Sequence, residues 1–254
     1  MDPTAVELAE IASWLREAGN VMVLTGAGIS TGSGIPDFRG PDGVWTKNPD
    51  AERLAQLRYY LADAELRKRA WENRLRSEMW AAEPNDAHRA LVELERKSSL
   101  HMLVTQNVDG LHHRAGQSPE IVVEIHGNAR TVKCMSCGWR GPMGETLARV
   151  DAGDADPPCL FCGGIIKSAT ISFGENLVAD DLDRAQRAAE RAAVFVAVGT
   201  SLGVYPAAGL PEIALRHGAR LIVMNAQETP FDGVADAIVR DQLEVVLPAL
   251  VDRV

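Results

Sequence analysis

The stretch VMVLTGAGISTGSGIPDFRG, residues 21 to 40, opens on five apolar or β-branched residues, breaks at Gly26 and Gly28, and then sets Asp37, Phe38 and Arg39 in succession. A short apolar run ending in glycines reads as a buried parallel strand, and residues without side chains at its carboxyl end let backbone N–H groups approach a diphosphate closely. The loop lacks the third glycine of the usual dinucleotide fingerprint and the Lys-Ser/Thr of a P-loop. Taken alone, Gly26 and Gly28 therefore leave a plain tight βα turn equally open.

Three further stretches repeat the strand pattern: HMLVTQNVDG at 101–110, AAVFVAVGTS at 192–201 and ARLIVMNAQ at 219–227. Between them the spacing predicts helices over 4–18, over 51–80 with interruptions, over 84–97 with Asn85 as a cap, and over 179–192, where acids lead and arginines follow. Strands alternating with helices imply βαβ units and a Rossmann-like, doubly wound α/β sheet. One segment breaks the rhythm. From Thr131 to about Ile166 the chain is turn-rich, shows little helical periodicity and holds all four cysteines, which reads as a small inserted module.

The strand ends are polar. Gln106, Asn107 and Asp109 follow one, Thr200 and Ser201 another, and Asn225 a fourth, so convergent polar groups describe a large ligand lying across the carboxyl edge of the sheet. His126, followed by a glycine, is either a structural hydrogen-bonder or a general base.

Cys134 and Cys137 form one CxxC and Cys159 and Cys162 a second, with 21 residues between the pairs. Two such knuckles can deliver four thiolates to one tetrahedral Zn²⁺, and Gly138, Gly163 and Gly164 suit the turns. Four sulfur ligands leave no open position, so the expected metal is structural, one per chain. Two disulfides are the competing reading, disfavoured for a chain without an export signal.

The 254 residues are 46% hydrophobic and 24% charged, ordinary values for a globular protein, with a formal net charge of −9. That charge disfavours nucleic acid and anionic membrane as partners and favours basic ones such as lysine-bearing segments. The first twenty residues carry early acids and an amphipathic pattern in place of a basic and apolar leader, and no apolar run approaches the length of a membrane span. The expectation is a cytoplasmic protein.

The ordered set GAGIS…GIPDFRG, TQNVDGLH, HG, paired CxxC, SFGE and GTSLGVYPAA resembles the sirtuins of bacterial type, NAD-dependent protein lysine deacylases, over about residues 10–250. The resemblance implies a single catalytic unit. Its large domain would span about 1–50, 84–130 and 167–254, and its small domain would combine a helical insertion of about 51–83 with the zinc module of about 131–166. It implies that Gly26, Ala27, Gly28 and Ser30 line the phosphate and ribose region of NAD, and that Asp37, Phe38 and Arg39 lie on a mobile loop beside the nicotinamide ribose. Gln106 and Asn107 would contact ribose and an ordered water, and Asp109 the nicotinamide carboxamide. Gly199, Thr200, Ser201 and Asn225, with Gln227 and Leu243 nearby, would serve the adenosine end. The backbones of Phe173, Gly174, Glu175 and Asn176 and of Gly203, Val204 and Tyr205 would sandwich an acyl-lysine peptide as an added strand.

The chemistry so implied consumes NAD. The acyl oxygen attacks the ribose carbon as nicotinamide departs, giving an alkylamidate. His126 then relays a proton from the ribose hydroxyls so that the 2′-oxygen attacks the former acyl carbon. A deacetylase is the leading expectation.

Relatives that prefer succinyl or malonyl groups carry Tyr-x-x-Arg. The matching place resembles WENR, with Trp71 for the tyrosine and Arg74 retained, so acyl preference stays open; Trp71 reads equally as a core residue and Arg74 as a surface charge, and Tyr59 or Tyr60 as an inward-pointing substitute. Ser168 stands where many relatives carry proline. Mono-ADP-ribosyl transfer and a non-catalytic NAD-sensing scaffold are the competing functions, and monomer is the default state.

Overall fold

The computed structural model describes residues 3–38, 40, 43–47, 51–97 and 100–254. Its strands are β1 (Val21–Thr25), β2 (Leu100–Thr105), β3 (Val122–Glu124), β4 (Gly127–Cys134), β5 (Arg140–Pro142), β6 (Ile166–Thr170), β7 (Val194–Val198), β8 (Arg220–Met224) and β9 (Ala237–Val239). Six of them form one parallel sheet in the order β3-β2-β1-β7-β8-β9. The four strands expected from the apolar runs are β1, β2, β7 and β8. The two edge strands, β3 and β9, are three residues long, too short to show a period.

The helices are α1 (Pro3–Glu17), α2 (Val44–Lys47), α3 (Ala51–Leu54), α4 (Leu57–Ala62), α5 (Ala64–Leu75), α6 (Asp86–Lys97), α7 (Leu111–Ala115), α8 (Met143–Asp151), α9 (Ala179–Arg191), α10 (Leu210–Arg216) and α11 (Leu243–Val251). The interrupted helical stretch 51–80 resolves into α3, α4, α5 and a 3₁₀ turn, Glu78–Trp80. Asp63 caps α5 by accepting from the amide of Leu66 at 3.1 Å, and Asn85 caps α6 by accepting from the amide of His88 at 3.2 Å.

The strands are apolar throughout because both faces are covered. Val21 and Val23 of β1 and Val194, Val196 and Val198 of β7 pack into a core with Leu8 and Ile11 of α1, Leu91 of α6 and Leu247 of α11. Their neighbours Met22, Leu24, Phe195 and Ala197 pack on the other side with Ala185 of α9 and Leu210 of α10. The period of two along each strand thus feeds two separate cores.

A second sheet, β5-β4-β6, is antiparallel. Trp71 of α5, Val132 of β4, Met143 and Leu147 of α8, Ile166 of β6 and the sulfurs of Cys134 and Cys159 form its core. The turn-rich expectation for residues 131–166 is corrected in one respect: α8 lies inside it. Its buried residues, Met143, Thr146 and Leu147, have helical spacing, but over two and a half turns the pattern is too brief to stand out.

In the parallel sheet the chain runs outward from β1 through β2 to β3 and later resumes on the other flank of β1 with β7. The order reverses between β1 and β7, so a crevice opens at their carboxyl ends. There the backbones interlock. Gly26 N donates to Val198 O at 3.0 Å and Gly28 N to Gly199 O at 2.9 Å. A Cβ on Gly26 would lie 2.7 Å from Gly199 O, one on Gly28 would lie 2.8 Å from Gly199 Cα, and one on Gly199, which has φ +59°, would lie 2.5 Å from Ile29 N.

Gly199→Ala combines a left-handed φ with a backbone clash, so it should lower the melting temperature by about 4 °C or more. Gly19→Ala, with nothing within 4 Å of the new methyl group, should leave it close to the parent's. Thermal unfolding followed by circular dichroism checks the pair.

Candidate active site

Above this crevice lies a cleft of about 1530 Å³, floored by the ends of β1, β2, β7 and β8 and walled on the far side by the end of β6 and the loop that follows it. Gly26, Ala27 and Gly28 enter it from β1, Gln106 and Asn107 from β2, Gly199, Thr200 and Ser201 from β7, and Asn225 and Gln227 from β8. Asp37, Phe38, His126 and Leu243 line it as well. After Gly26 the backbone enters a 3₁₀ helix of seven residues, Ala27–Ser33. What the loop offers is a backbone without bulky side chains at Gly26, Ala27 and Gly28. Arg39 lies outside the described residues.

Two expected contact residues sit behind the wall. Ser30 and Asp109 are buried and do not line the cleft. Ser30 Oγ donates to Asp109 Oδ2 at 2.8 Å and accepts from Asn107 Nδ2 at 3.1 Å, while Asn107 Nδ2 also reaches Gly26 O at 3.0 Å. Burial pushes the Asp109 carboxyl up, and its hydrogen bonds from the Leu111 amide and Ser30 oppose the shift. The pair fixes the amide of Asn107. Gln106 Nε2 donates to Thr200 Oγ1 at 2.8 Å, tying β2 to the β7 loop across β1.

His126 Nδ1 lies 3.2 Å from Gln106 O. A carbonyl oxygen only accepts, so Nδ1 carries the proton and Nε2 is left with its lone pair, the basic nitrogen of a cleft-lining ring. Burial lowers the pKa of this histidine, and the Gln106 carbonyl, which favours the protonated ring, only partly offsets it. The imidazole is therefore neutral near pH 7.

On the far wall, Phe173, Gly174, Glu175 and Asn176 face the cleft, as do Val204 and Tyr205 opposite; Gly203 does not. Phe173 is not available as a free strand edge, because its amide donates to Ala55 O and its carbonyl accepts from Leu57 N. Glu175 is held by ion pairs to Lys133 and to the fully buried Lys167. Burial raises the Glu175 pKa, but hydrogen bonds from Lys133, the Ser172 amide and Lys167 outweigh it and hold the carboxyl below its usual range. Burial pushes Lys167 down to about 8 against the pull of Glu175.

Trp71 is no part of the cleft wall. It is fully buried in the core of the small sheet, because α5 turns that face inward. Tyr60 is buried too, its hydroxyl donating to Ile166 O at 2.9 Å. Arg74, one turn beyond Trp71, does line the cleft, stacks on the Trp71 ring at 5.2 Å and donates to Ser168 Oγ at 2.9 Å; Ser168 in turn bonds Thr170 Oγ1 at 2.9 Å. Sequence reasoning missed Trp45, Thr170 and Asn73 as lining residues. Nothing in the periodicity of their segments marks them.

The four cysteine sulfurs lie within 4.8 Å of one another. Cross-knuckle pairs, Cys134 with Cys162 at 3.5 Å and Cys137 with Cys159 at 3.8 Å, are far longer than an S–S bond of about 2.05 Å, which rules out the disulfide reading. Amides of Ser136 and Cys137 point at Cys134 Sγ at 3.4 and 3.5 Å, favouring thiolate. A closed four-sulfur set of this kind fits structural Zn²⁺.

A family model described as Sir2 family matches residues 26–206. The chain is 53% identical over 230 residues to the NAD-dependent protein deacetylase 2 of Streptomyces coelicolor, covering 91% of this chain and 95% of that one. It is 44% identical to the NAD-dependent protein deacetylase 1 of Pyrobaculum aerophilum, covering 100% and 97%. Among solved structures it resembles a Sir2 complex with a p53 peptide and NAD⁺, with TM-score 0.86, 34% identity and 96% of each chain covered. It also resembles a Sir2 homologue in complex with NAD, with TM-score 0.84, 39% identity and 96% and 92% covered.

Cys159→Ser should abolish stoichiometric zinc, measured by plasma emission spectroscopy, and lower the melting temperature, since the sulfur belongs both to the ligand set and to the core of the small sheet. Loss of metal with unchanged melting would contradict a structural site.

Proposed function

The chain belongs to the Sir2 family, and from that premise we propose that it is an NAD-dependent protein lysine deacylase, acetyl groups being its leading substrate. It takes up NAD as a consumed co-substrate and an acyl-lysine segment of a protein, and releases nicotinamide, free lysine and 2′-O-acyl-ADP-ribose. The observation that carries this reading is His126: a neutral imidazole with its Nδ1 proton held by Gln106 O and its Nε2 free, in a cleft bounded by the glycine crevice on one side and by Phe173–Asn176 on the other.

When bound, NAD supplies a cationic leaving group and the ribose hydroxyls that accept the acyl group. The residues do the rest. Gly26, Ala27 and Gly28 let the diphosphate approach the backbone closely, although the Gly26 and Gly28 amides are already paired with Val198 O and Gly199 O; Thr200, Ser201, Asn225, Gln227 and Leu243 hold the adenosine end; Gln106 and Asn107 orient the ribose, with Ser30 and Asp109 bracing Asn107 from beneath. Phe38 shields the reacting carbon from water. His126 Nε2 takes the proton from a ribose hydroxyl. Gly174 and Asn176, whose backbone groups make no backbone hydrogen bond among the described residues, pair with the substrate strand from one side, and Val204 and Tyr205 from the other.

We assign the large domain to about 1–50, 84–130 and 167–254, and the small one to about 51–83 and 131–166, which keep separate hydrophobic cores. We take a monomer as the default state. No helix among the described residues is long and apolar enough to cross a membrane, and the net charge of −9 suits an enzyme acting on basic, lysine-bearing segments.

Acyl preference has a second reading. Arg74 faces the cleft beside two hydroxyls, with no acidic partner among the described residues, which favours a carboxylate-bearing acyl group. Against it, neither Trp71 nor Tyr60 offers the cleft a phenol.

Incubation with NAD and matched acetyl-, succinyl- and long-chain acyl-lysine peptides, read by mass spectrometry, tests the assignment. Acyl-ADP-ribose is the expected product and its ranking settles the acyl group; nicotinamide with label fixed on protein would instead mean ADP-ribosyl transfer, and neither product a scaffold. His126→Ala should cost at least about 10²-fold in kcat. Because burial lowers the histidine's pKa, the acid limb of kcat/KM should lie below pH 6.5, activity falling as the ring protonates; a limb that persists unchanged in His126→Gln would mean that another group titrates.

A further inference from the structure

We propose that Arg58 and the depression beside it form a subsite for an acidic side chain, glutamate by preference, of the peptide that carries the acyl-lysine. This rests on the deacylase reading and makes Arg58 a specificity-determining residue of that reaction.

On the outer side of Phe173 the wall holds a depression of about 550 Å³, lined by Gln56, Leu57, Arg58, Leu61, Phe173 and Gly174. Phe173 and Gly174 line the main cleft as well, so the depression continues the edge along which the substrate strand is laid. Beside Gly174 the space is open: a Cβ there would meet nothing within 4 Å. Backbone bonds fix the depression to that edge. Phe173 N donates to Ala55 O at 2.8 Å and Leu57 N to Phe173 O at 3.0 Å, which brings Arg58, the next residue, to the side of Gly174.

The chemistry of the lining selects its occupant. Leu57, Leu61 and Phe173 make an apolar floor, with Leu61 36% and Phe173 39% exposed. Arg58 brings the only charge among the described residues that line it. Its guanidinium is pre-organised: Nε donates to Gln56 Oε1 at 3.2 Å, Nη2 donates to the Tyr59 hydroxyl at 3.0 Å, and Cζ lies 4.5 Å from the centroid of the Tyr59 ring. Arg53 lies over the same ring at 4.8 Å. Neither arginine has an acidic partner among the described residues. An apolar floor with one fixed cation suits glutamate, whose methylene stem covers the floor while its carboxylate meets the guanidinium. A lysine or arginine of the peptide would face Arg58 as a like charge.

Side chains alternate along an extended strand, so only one or two positions of the peptide reach the depression. The rest of the peptide meets a chain of net charge −9, whose field favours cationic side chains. Preference for glutamate at one place, against that field, is the signature of the subsite.

Fluorescein-labelled acetyl-lysine peptides test it, each with a single glutamate, or its neutral isostere glutamine, at one of the positions flanking the acetyl-lysine, and with affinity read by anisotropy. At one position, or at two that alternate, glutamate should bind about two- to fivefold tighter than glutamine at low salt, as for a solvent-facing ion pair, and the advantage should shrink as salt is raised. Arg58→Gln should bring that ratio to near one, and Arg58→Lys should keep part of it, with melting temperatures near the parent's because the side chain is exposed. No glutamate preference at any position, an equal preference at every position, or the parent's ratio in Arg58→Gln would each overturn the proposal. Binding requires no turnover, so acyl-ADP-ribose is scored in parallel: its absence sinks the deacylase reading, whereas turnover without a glutamate preference sinks only the subsite.

Discussion

Where β1 and β7 end side by side, the backbones of Gly26, Gly28 and Gly199 meet at distances that leave no room for a Cβ on any of them. Everything above depends on that contact. It lets the ends of β1 and β7 close against each other, the amides of Gly26 and Gly28 pairing across the contact with Val198 O and Gly199 O. A side chain at any of the three positions would part the loops and move Thr200, the partner of Gln106, away from β2.

The crevice is stiffened by a polar layer buried beneath it. Thr25 Oγ1 bonds Thr105 Oγ1 at 2.8 Å and His112 Nε2 at 2.9 Å, and His88 Nδ1 meets Asn85 Oδ1 at 2.9 Å. Burial drives both histidines to remain uncharged, His88 with a pKa of about 4 and His112 well below its ordinary value. Their unfolded-state pKa is near 6.5, so the contribution of neutral burial to stability is present above that pH and is lost as pH falls towards the folded values. Such a layer gives Asn107 one orientation, which an apolar floor would not.

The opposite wall is fixed by charge and by metal. Lys133 and Lys167 reach Glu175 from adjacent strands of the small sheet, and the same sheet carries Cys134 at the end of β4. The zinc knuckles and the substrate loop therefore share one support. This explains how a closed metal site with no open coordination position can matter to a cleft it never touches.

The sequence by itself determined the parallel sheet, its glycine turn, the four-cysteine ligand set and most of the cleft floor. These features are encoded locally: a buried strand must be apolar on both faces, a CxxC sets its own ligand spacing, and residues at strand ends go wherever the strands go. Tertiary structure alone decided which neighbours point in. Trp71 and Arg74 lie one helical turn apart, yet one fills the small core and the other faces the cleft. Ser30 and Asp109 are buried beneath the wall, while Trp45 and Thr170 line it without any mark in their segments. The reason is physical: side-chain direction at loops and helix faces is set by what packs against them from distant segments, and no local period records that.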